Sequence, residues 1–466
     1  MVWVFDFAEV ALCDCPGVPF GCDECNVHAI GEMGEPFAGY RAEVTADPSS
    51  VSGEIPCVDT HVQHGERVSA RMSGCLGCRT AAAMHIAVDA HNLLIDRRGI
   101  GVYLRAVLSR MLRGDDAVTL LVNDFWPGRL RREFVRELGS DRFAIARRVP
   151  GDADVVWHPW NGAFFDGRGV PEVATIHDVV PFAFPAEDTK LRESQQRPFL
   201  VSAARASHIV TDSEFSRTEI LRYLGIEAER IRVVALAASE TLHSPWEGAP
   251  RGTSMYRSCS AVFSQLQKEN ALRAFAKKSE ASQGECSVSE ATLDRAPYIL
   301  AVGANDFRKN LETLAHAHRV AFPNGEVVLV CVGKNAPDGA IELTDVSLDD
   351  LKVLYEGALA FAMPSIYEGF GIPPLEAMMC GTPVVVSRAA SLPEVCGDAA
   401  LYVNDPMDVN EWSTALRRIA NDADLRQRLH VAGLEQAKKF NWDKTTAQTF
   451  VILRSASGTR VSKDRQ

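Results

Sequence analysis

Pro364-Ser365-Ile366-Tyr367-Glu368-Gly369-Phe370-Gly371-Ile372-Pro373-Pro374-Leu375-Glu376 is the stretch on which the reading of this 466-residue chain turns. It sets two carboxylates eight residues apart, with a Gly-Phe-Gly loop and a helix start between them. Pro373 and Pro374 are pre-set for the first turn of a helix, and Gly381 is placed to end it. Gly369 and Gly371 let backbone N–H groups, those of Phe370 and Gly371 among them, come close to a ligand, and the helix N-terminus behind them favours an anion. Glu368 faces that crevice from the loop and Glu376 from inside the helix. Carboxylates accept hydrogen bonds from paired hydroxyls, so the constellation suits a ligand carrying both a diphosphate and sugar hydroxyls. Either glutamate alone would read as a solvated residue beside a turn. For the whole string, helix punctuation and polar placement agree with one another.

Working outward, the loop belongs to a series of short apolar runs: Tyr298–Gly303, Val327–Val332, Ala360–Met363 and Pro383–Val386, with helices expected over Asn310–Val320 and Pro374–Cys380. An earlier series comprises Ile86–Val88, Thr119–Val122, Val155–Trp157, Val173–Ile176, His208–Thr211 and Arg232–Leu236, with a helix expected over Val102–Leu112. Runs this uniformly apolar suit parallel strands covered on both faces. The expectation is an α/β protein of two doubly wound, Rossmann-like domains whose ligand loops share one cleft. Boundaries are expected at 84–239 for the first domain, 240–297 for a linker or insertion, 298–440 for the second domain, and 441–466 for a segment crossing back to the first.

Three further strings sit at strand ends. Arg308-Lys309-Asn310 follows strand 298–303 and opens a helix, where two cations can neutralise a diphosphate; a solvated basic turn is the plainer alternative. Thr175-Ile176-His177-Asp178 closes a buried strand, with His177 placed to meet a sugar hydroxyl or to move a proton, or simply to be satisfied by backbone. Trp157-His158-Pro159-Trp160-Asn161-Gly162 reads equally as an aromatic acceptor wall or as core. Ser213, in Thr211-Asp212-Ser213-Glu214-Phe215-Ser216, reads as a helix cap.

Composition narrows the class. Apolar content of 46% and charged content of 24% are ordinary for a globular protein. A net charge of −12 argues against nucleic acid as the main partner. There is no run of ~18 apolar residues and no basic signal-like start, so the reading is intracellular and cytoplasmic. Residues 1–83 differ, with 7 of the 12 cysteines, 12 acidic residues, 4 arginines and no lysine. Cys22-x2-Cys25 and Cys75-x2-Cys78, with Cys13, Cys15, Cys57, His28, His61 and His64 around them, admit a zinc site. The long gap between the pairs favours instead a disordered or non-native extension ahead of a start at Met84.

From Met84 onward the chain resembles the retaining glycosyltransferases of family four, which have the two-domain GT-B architecture. The resemblance is carried by Gly99-Ile100-Gly101-Val102-Tyr103, Ile176-His177-Asp178, Thr211–Ser216, Arg308-Lys309-Asn310, and Tyr367–Gly371 with Glu376. Cys380–Val385, Leu392-Pro393-Glu394-Val395 and Phe440-Asn441-Trp442 match as well. It implies a nucleotide-diphosphate sugar as donor, with a weak preference for GDP-mannose, and a glycan or lipid-linked sugar as acceptor. Neither metal nor other cofactor is implied. Arg308 and Lys309 would hold the diphosphate, Glu376 the ribose, and Glu368 with the amides of Phe370 and Gly371 the hexose. His177 would sit near the reacting face, and Gly99 and Gly101 would let the first domain approach the phosphates.

The chain departs from the family pattern between Gly333 and Val346, where only twelve residues stand in place of the usual helix and strand near the base. That departure keeps open a non-catalytic nucleotide-sugar binding protein. A sugar-nucleotide epimerase of the same architecture is the third reading. Arg129, Arg131, Arg132, Arg136, Arg147 and Arg148, with Leu130, Phe134 and Leu138, admit a peripheral contact with anionic lipid, against the alternative of a solvated surface helix.

Overall fold

The computed structural model describes residues 56–59, 71–74, 83–96, 99–124, 126–239, 242 and 297–458. The chain divides into two units, Met1–Ala83 and Met84–Gln466. In the first unit, β1 (Pro56–Asp59) and β2 (Arg71–Gly74) pair antiparallel. The cysteine and histidine side chains considered for zinc lie outside the described residues, as does all of the expected linker except Leu242 and Pro297.

The second unit holds two parallel sheets. The first runs β3 (His85–Asp89), β4 (Ala117–Leu121), β5 (Ala144–Ala146), β6 (Val155–His158), β7 (Glu172–Thr175), β8 (His208–Thr211) and β9 (Ile231–Val233) along the chain. In space the order is β5-β4-β3-β6-β7-β8-β9. The other sheet comprises β10 (Tyr298–Val302), β11 (Val328–Val332), β12 (Ile341–Leu343), β13 (Ala360–Met363), β14 (Val384–Ser387) and β15 (Ala400–Val403), ordered β12-β11-β10-β13-β14-β15. Every pairing in both is parallel. Each is therefore doubly wound, with a reversal of strand order between β3 and β6 and again between β10 and β13.

The apolar runs become central strands because burial on both faces suits them; all four residues of β6, β13 and β14 are buried. Each fully buried Val or Leu contributes about 1.5–3 kcal/mol. β5, β12 and β15 were not expected, and none is as uniformly buried. β12 occupies the short stretch after Gly333, which thus keeps an edge strand and carries no helix.

In the first domain the helices are α1 (Gly99–Met111), α2 (Arg131–Leu138), α3 (Val180–Ala183), α4 (Thr189–Arg205) and α5 (Glu214–Leu224). α1 buries Tyr103, Leu104, Val107, Leu108 and Met111 at helical spacing. α2 favours the surface-helix alternative: Phe134 and Leu138 are buried and Leu130 packs against the same core, so this face is not offered to lipid. Arg131 is held by the carbonyls of Phe143 and Asp141, and Arg129 pairs with Asp124. No helix among the described residues is long and apolar enough to cross a membrane.

The second domain carries α6 (Leu311–Ala321), α7 (Leu348–Gly357), α8 (Ile372–Met379), α9 (Leu392–Cys396), α10 (Val409–Asn421) and α11 (Ala423–Ala437). The last helix, α12 (Trp442–Ser457), packs on the first sheet instead. Thr445 donates to the carbonyl of Ala235 at 2.7 Å, Asp443 pairs with Arg110 at 2.6 Å, and Arg454 pairs with Asp116 at 3.1 Å.

Candidate active site between the two sheets

In a doubly wound sheet, loops leaving adjacent strands on either side of the reversal splay apart and open a crevice. In the second sheet those are the loops after β10 and β13, which carry Arg308-Lys309 and Glu368. Asn310 stitches them together: it takes a left-handed backbone (φ 53°), and its amide donates to the carbonyls of Pro364 (3.1 Å) and Pro406 (2.6 Å). Ile366 N–H donates to the carbonyl of Arg308 at 2.8 Å. Lys309 Nζ thereby meets Glu368 Oε1 at 2.7 Å, both side chains mostly buried. Arg308 pairs with Asp306 at 2.8 Å.

The glutamate loop is pinned from both domains. Ser391, just ahead of α9, donates to the carbonyls of Glu368 (2.9 Å) and Phe370 (2.7 Å). Ser213 and Ser216 both donate to the carbonyl of Gly369, at 2.6 and 3.0 Å. Ser213 also caps α5 by accepting from Ser216 N–H, so its expected role holds and a second is added. Glu394 accepts from the amides of Glu214 (3.0 Å) and Phe215 (3.4 Å), placing its charge at the positive end of α5.

Gly369 and Gly101 act differently from the expectation. A Cβ on Gly369 would stand 2.5 Å from the carbonyl oxygen of His177, so this glycine admits the other domain rather than a ligand. Gly371 has φ 103° and packs against Leu392. Gly101 leaves room for the carbonyl of Asp96, a packing role, whereas Gly99 faces Ile372 at the head of α8. The amides of Phe370 and Gly371 carry no protein acceptor among the described residues, which leaves two unpaired N–H donors ahead of α8.

Glu376 receives a hydrogen bond from Tyr355 Oη at 3.0 Å, and burial pushes its carboxyl up to about 7. His177 corrects the sequence reading most. Its Nδ1 faces Asp212 at 2.8 Å and its Nε2 the carbonyl of Pro159 at 3.1 Å, so neither nitrogen is left for a sugar hydroxyl. Burial opposes a charge on this ring, but Asp212 and the Pro159 carbonyl outweigh it and raise its pKa. Asp178, the next residue, is pushed up by burial and drawn back by the Val180 amide and by Arg308 across the cleft. Tyr367 sits between Phe184 and Phe215 of the first domain, with ring centroids at 5.5 and 5.2 Å. Among the described residues no group of three His, Cys, Asp or Glu could hold a metal ion.

Glu394, Ser391, Asp212 and Tyr355 were given no role by the sequence. Glu394 stood inside a quoted motif, but only the fold shows that its partner is the head of α5.

Two family models match, Glycosyltransferase Family 4 over residues 94–237 and Glycosyl transferases group 1 over residues 287–436. O-antigen chain mannosyltransferase B of Escherichia coli is 33% identical over 314 residues, covering 64% of this chain and 73% of that protein. O-antigen chain mannosyltransferase RfbU of Salmonella typhimurium is 28% identical, covering 56% of this chain and 64% of its own length. In fold, Anabaena HepE, solved in complex with UDP and glucose, matches with a TM-score of 0.56 at 14% identity, over 80% of this chain and all of that one. With two GT-B sheets facing one cleft and these matches on both halves, the chain belongs to the group 1, family 4 glycosyltransferases.

Proposed function

We propose that this glycosyltransferase moves a mannosyl residue from GDP-mannose to a hydroxyl of a glycan or lipid-linked sugar, with retention of configuration and without a metal. The observation that carries the reading is the Lys309–Glu368 pair beside Arg308 and the unpaired amides ahead of α8. It supplies cations and N–H donors for a diphosphate within reach of carboxylates for hydroxyls. The relatives named as mannosyltransferases support the choice of hexose.

In this reading the bond from C1 to the diphosphate oxygen breaks as the acceptor oxygen bonds to C1 on the same face. The acceptor's proton passes to the departing phosphate oxygen. Arg308, Lys309 and the head of α8 stabilise the charge that develops on the diphosphate. Glu368, with its other oxygen, and the loop amides hold the hexose, and Glu376 holds the ribose. His177 serves as a positioning residue, its ring fixed by Asp212 and its carbonyl against Gly369. Incubation with a panel of nucleotide sugars, EDTA present, should give product only with GDP-mannose, with an axial anomeric linkage by NMR. Turnover of UDP-glucose alone would overturn the donor, and binding without transfer would favour a non-catalytic role.

The position of Glu376 makes a pH dependence. Its pKa near 7 leaves the carboxyl neutral below that pH and charged above it. A carboxylate accepts from two ribose hydroxyls, so KM for the donor should fall about tenfold from pH 6 to pH 8, and Glu376→Gln should flatten that slope. Stability runs the other way. Burial raises this acid, so its contribution is full below pH 4.5 and is lost as pH climbs through 7. A pH slope unchanged in Glu376→Gln would remove the residue from the donor site.

A peripheral membrane contact would rest on charge alone, through the exposed Arg132, Arg136 and Arg148. Co-sedimentation with anionic liposomes should fall when all three are changed to Glu; unchanged binding would dismiss it.

A further inference from the structure

The first sheet has its own reversal of strand order, between β3 and β6, and the donor reading takes no ligand contact from it. Register pairs Val88 with Trp157, so the chain leaving these strands sets Asp89-Ala90-His91 beside His158-Pro159-Trp160. Asp89 is fully buried. Burial works against its charge, but His158 and His91 outweigh it and hold it below the ordinary carboxylate range. His158 is fixed in turn by Glu172 at 3.0 Å, and Glu172 by Arg205 at 2.8 Å. His91 Nδ1 lies 2.6 Å from Asp89 Oδ1, and its backbone N–H reaches the same oxygen at 3.2 Å.

Nδ1 donates to Asp89 Oδ1, and in the neutral ring with that tautomer the other nitrogen, Nε2, carries the lone pair. Nε2 has no hydrogen bond among the described residues, and the His91 side chain is 18% exposed. Arg105 clamps the turn that follows by donating to the carbonyls of Leu93 and Asp96, at 3.0 and 2.9 Å. One ring of this wall faces outward: Phe164 is 53% exposed, with its centroid 4.3 Å from that of His91. Trp160 backs them, its indole N–H tied to the carbonyl of Asp89 at 2.8 Å. The same loop reaches the donor side, since Pro159 and Asn161 hold His177 by its ring and its amide.

A fixed hydrogen-bond acceptor beside an exposed aromatic face is what a neutral, hydroxylated ring needs. We propose that His91 and Phe164 form the acceptor subsite, Nε2 accepting from a hydroxyl of the acceptor sugar while Phe164 covers its C–H face. Asp89 is the positioning residue. This rests on the reading that a sugar hydroxyl is the acceptor, and the test below needs no donor.

Saturation-transfer NMR on the full chain, with the methyl glycosides of mannose, glucose, galactose and N-acetylglucosamine as probes, should show at least one binding. His91→Leu and Phe164→Ala should each weaken it about three- to tenfold, the range of one lost neutral contact, and His91→Gln should recover part of the loss. GDP affinity, which reports on the other domain, should not move. Phe164→Ala, at an exposed ring, decides the matter if His91→Leu does not fold. Failure of every glycoside to bind, or binding unchanged in both variants, would overturn the subsite. Glycoside binding without any turnover of GDP-mannose would overturn the donor reading and leave the subsite standing.

Discussion

Lys309→Ala should cut transfer from GDP-mannose by about 10²–10³-fold, the scale lost when one oriented donor is removed from developing charge. Two losses combine. The diphosphate loses a cation that Glu368 already holds in place at 2.7 Å, and Glu368 becomes a mostly buried carboxylate without its partner. Such a carboxylate repels the leaving group that Lys309 would have neutralised. Lys309→Arg keeps the charge but not the point geometry of an ammonium, and should recover only part of the rate. The measurement is kcat/KM for both variants at saturating acceptor. Wild-type turnover by Lys309→Ala would remove the ion pair from the chemistry.

Gly369→Ala should fall about a hundredfold in kcat while GDP affinity stays near wild type. The backbone of Gly369 is not in the left-handed region, so alanine strains nothing within its own loop. The cost lies across the cleft. The added methyl would stand 2.5 Å from the carbonyl oxygen of His177 and 3.3 Å from Asp178 Cβ. Closure would stop short by about an ångström, and misplacement on that scale costs about 10²-fold. It would also break the bonds from Ser213 and Ser216, which need the Gly369 carbonyl at hydrogen-bond distance. Steady-state kinetics and a calorimetric GDP titration separate the two effects. Equal losses in both would locate the damage within the second domain instead.

How far the sequence reached follows a physical line. Central strands were legible because burial on two faces demands apolar residues throughout, as in Val384–Ser387. α8 was legible because Pro373, Pro374 and Gly381 are local instructions. Three of the four edge strands, β5, β12 and β15, were not, since half-buried edges impose no such pattern; the fourth, β9, was legible through the apolar run that continues past it into buried Val234 and Leu236. Arg308, Lys309 and Glu368 could be named from sequence, and the fold brings Lys309 and Glu368 together. His177 could be named but not oriented. Whether its ring faces a sugar or Asp212 depends on a strand end 35 residues away. Gly369 and Gly101 show the same limit: a glycine announces a close approach without saying what approaches.

The path of α12 has a consequence for how such a chain can be recombined. By sequence it follows the second domain; by contact it belongs to the first. Trp442 lies against Tyr103, Thr445 holds the carbonyl of Ala235, and Arg454 is paired with Asp116. A hybrid enzyme cut between the two sheets alone would therefore separate α1 and β6 from the helix that covers them. Exchange of first domains between relatives is a three-segment operation, in which the tail must travel with the head.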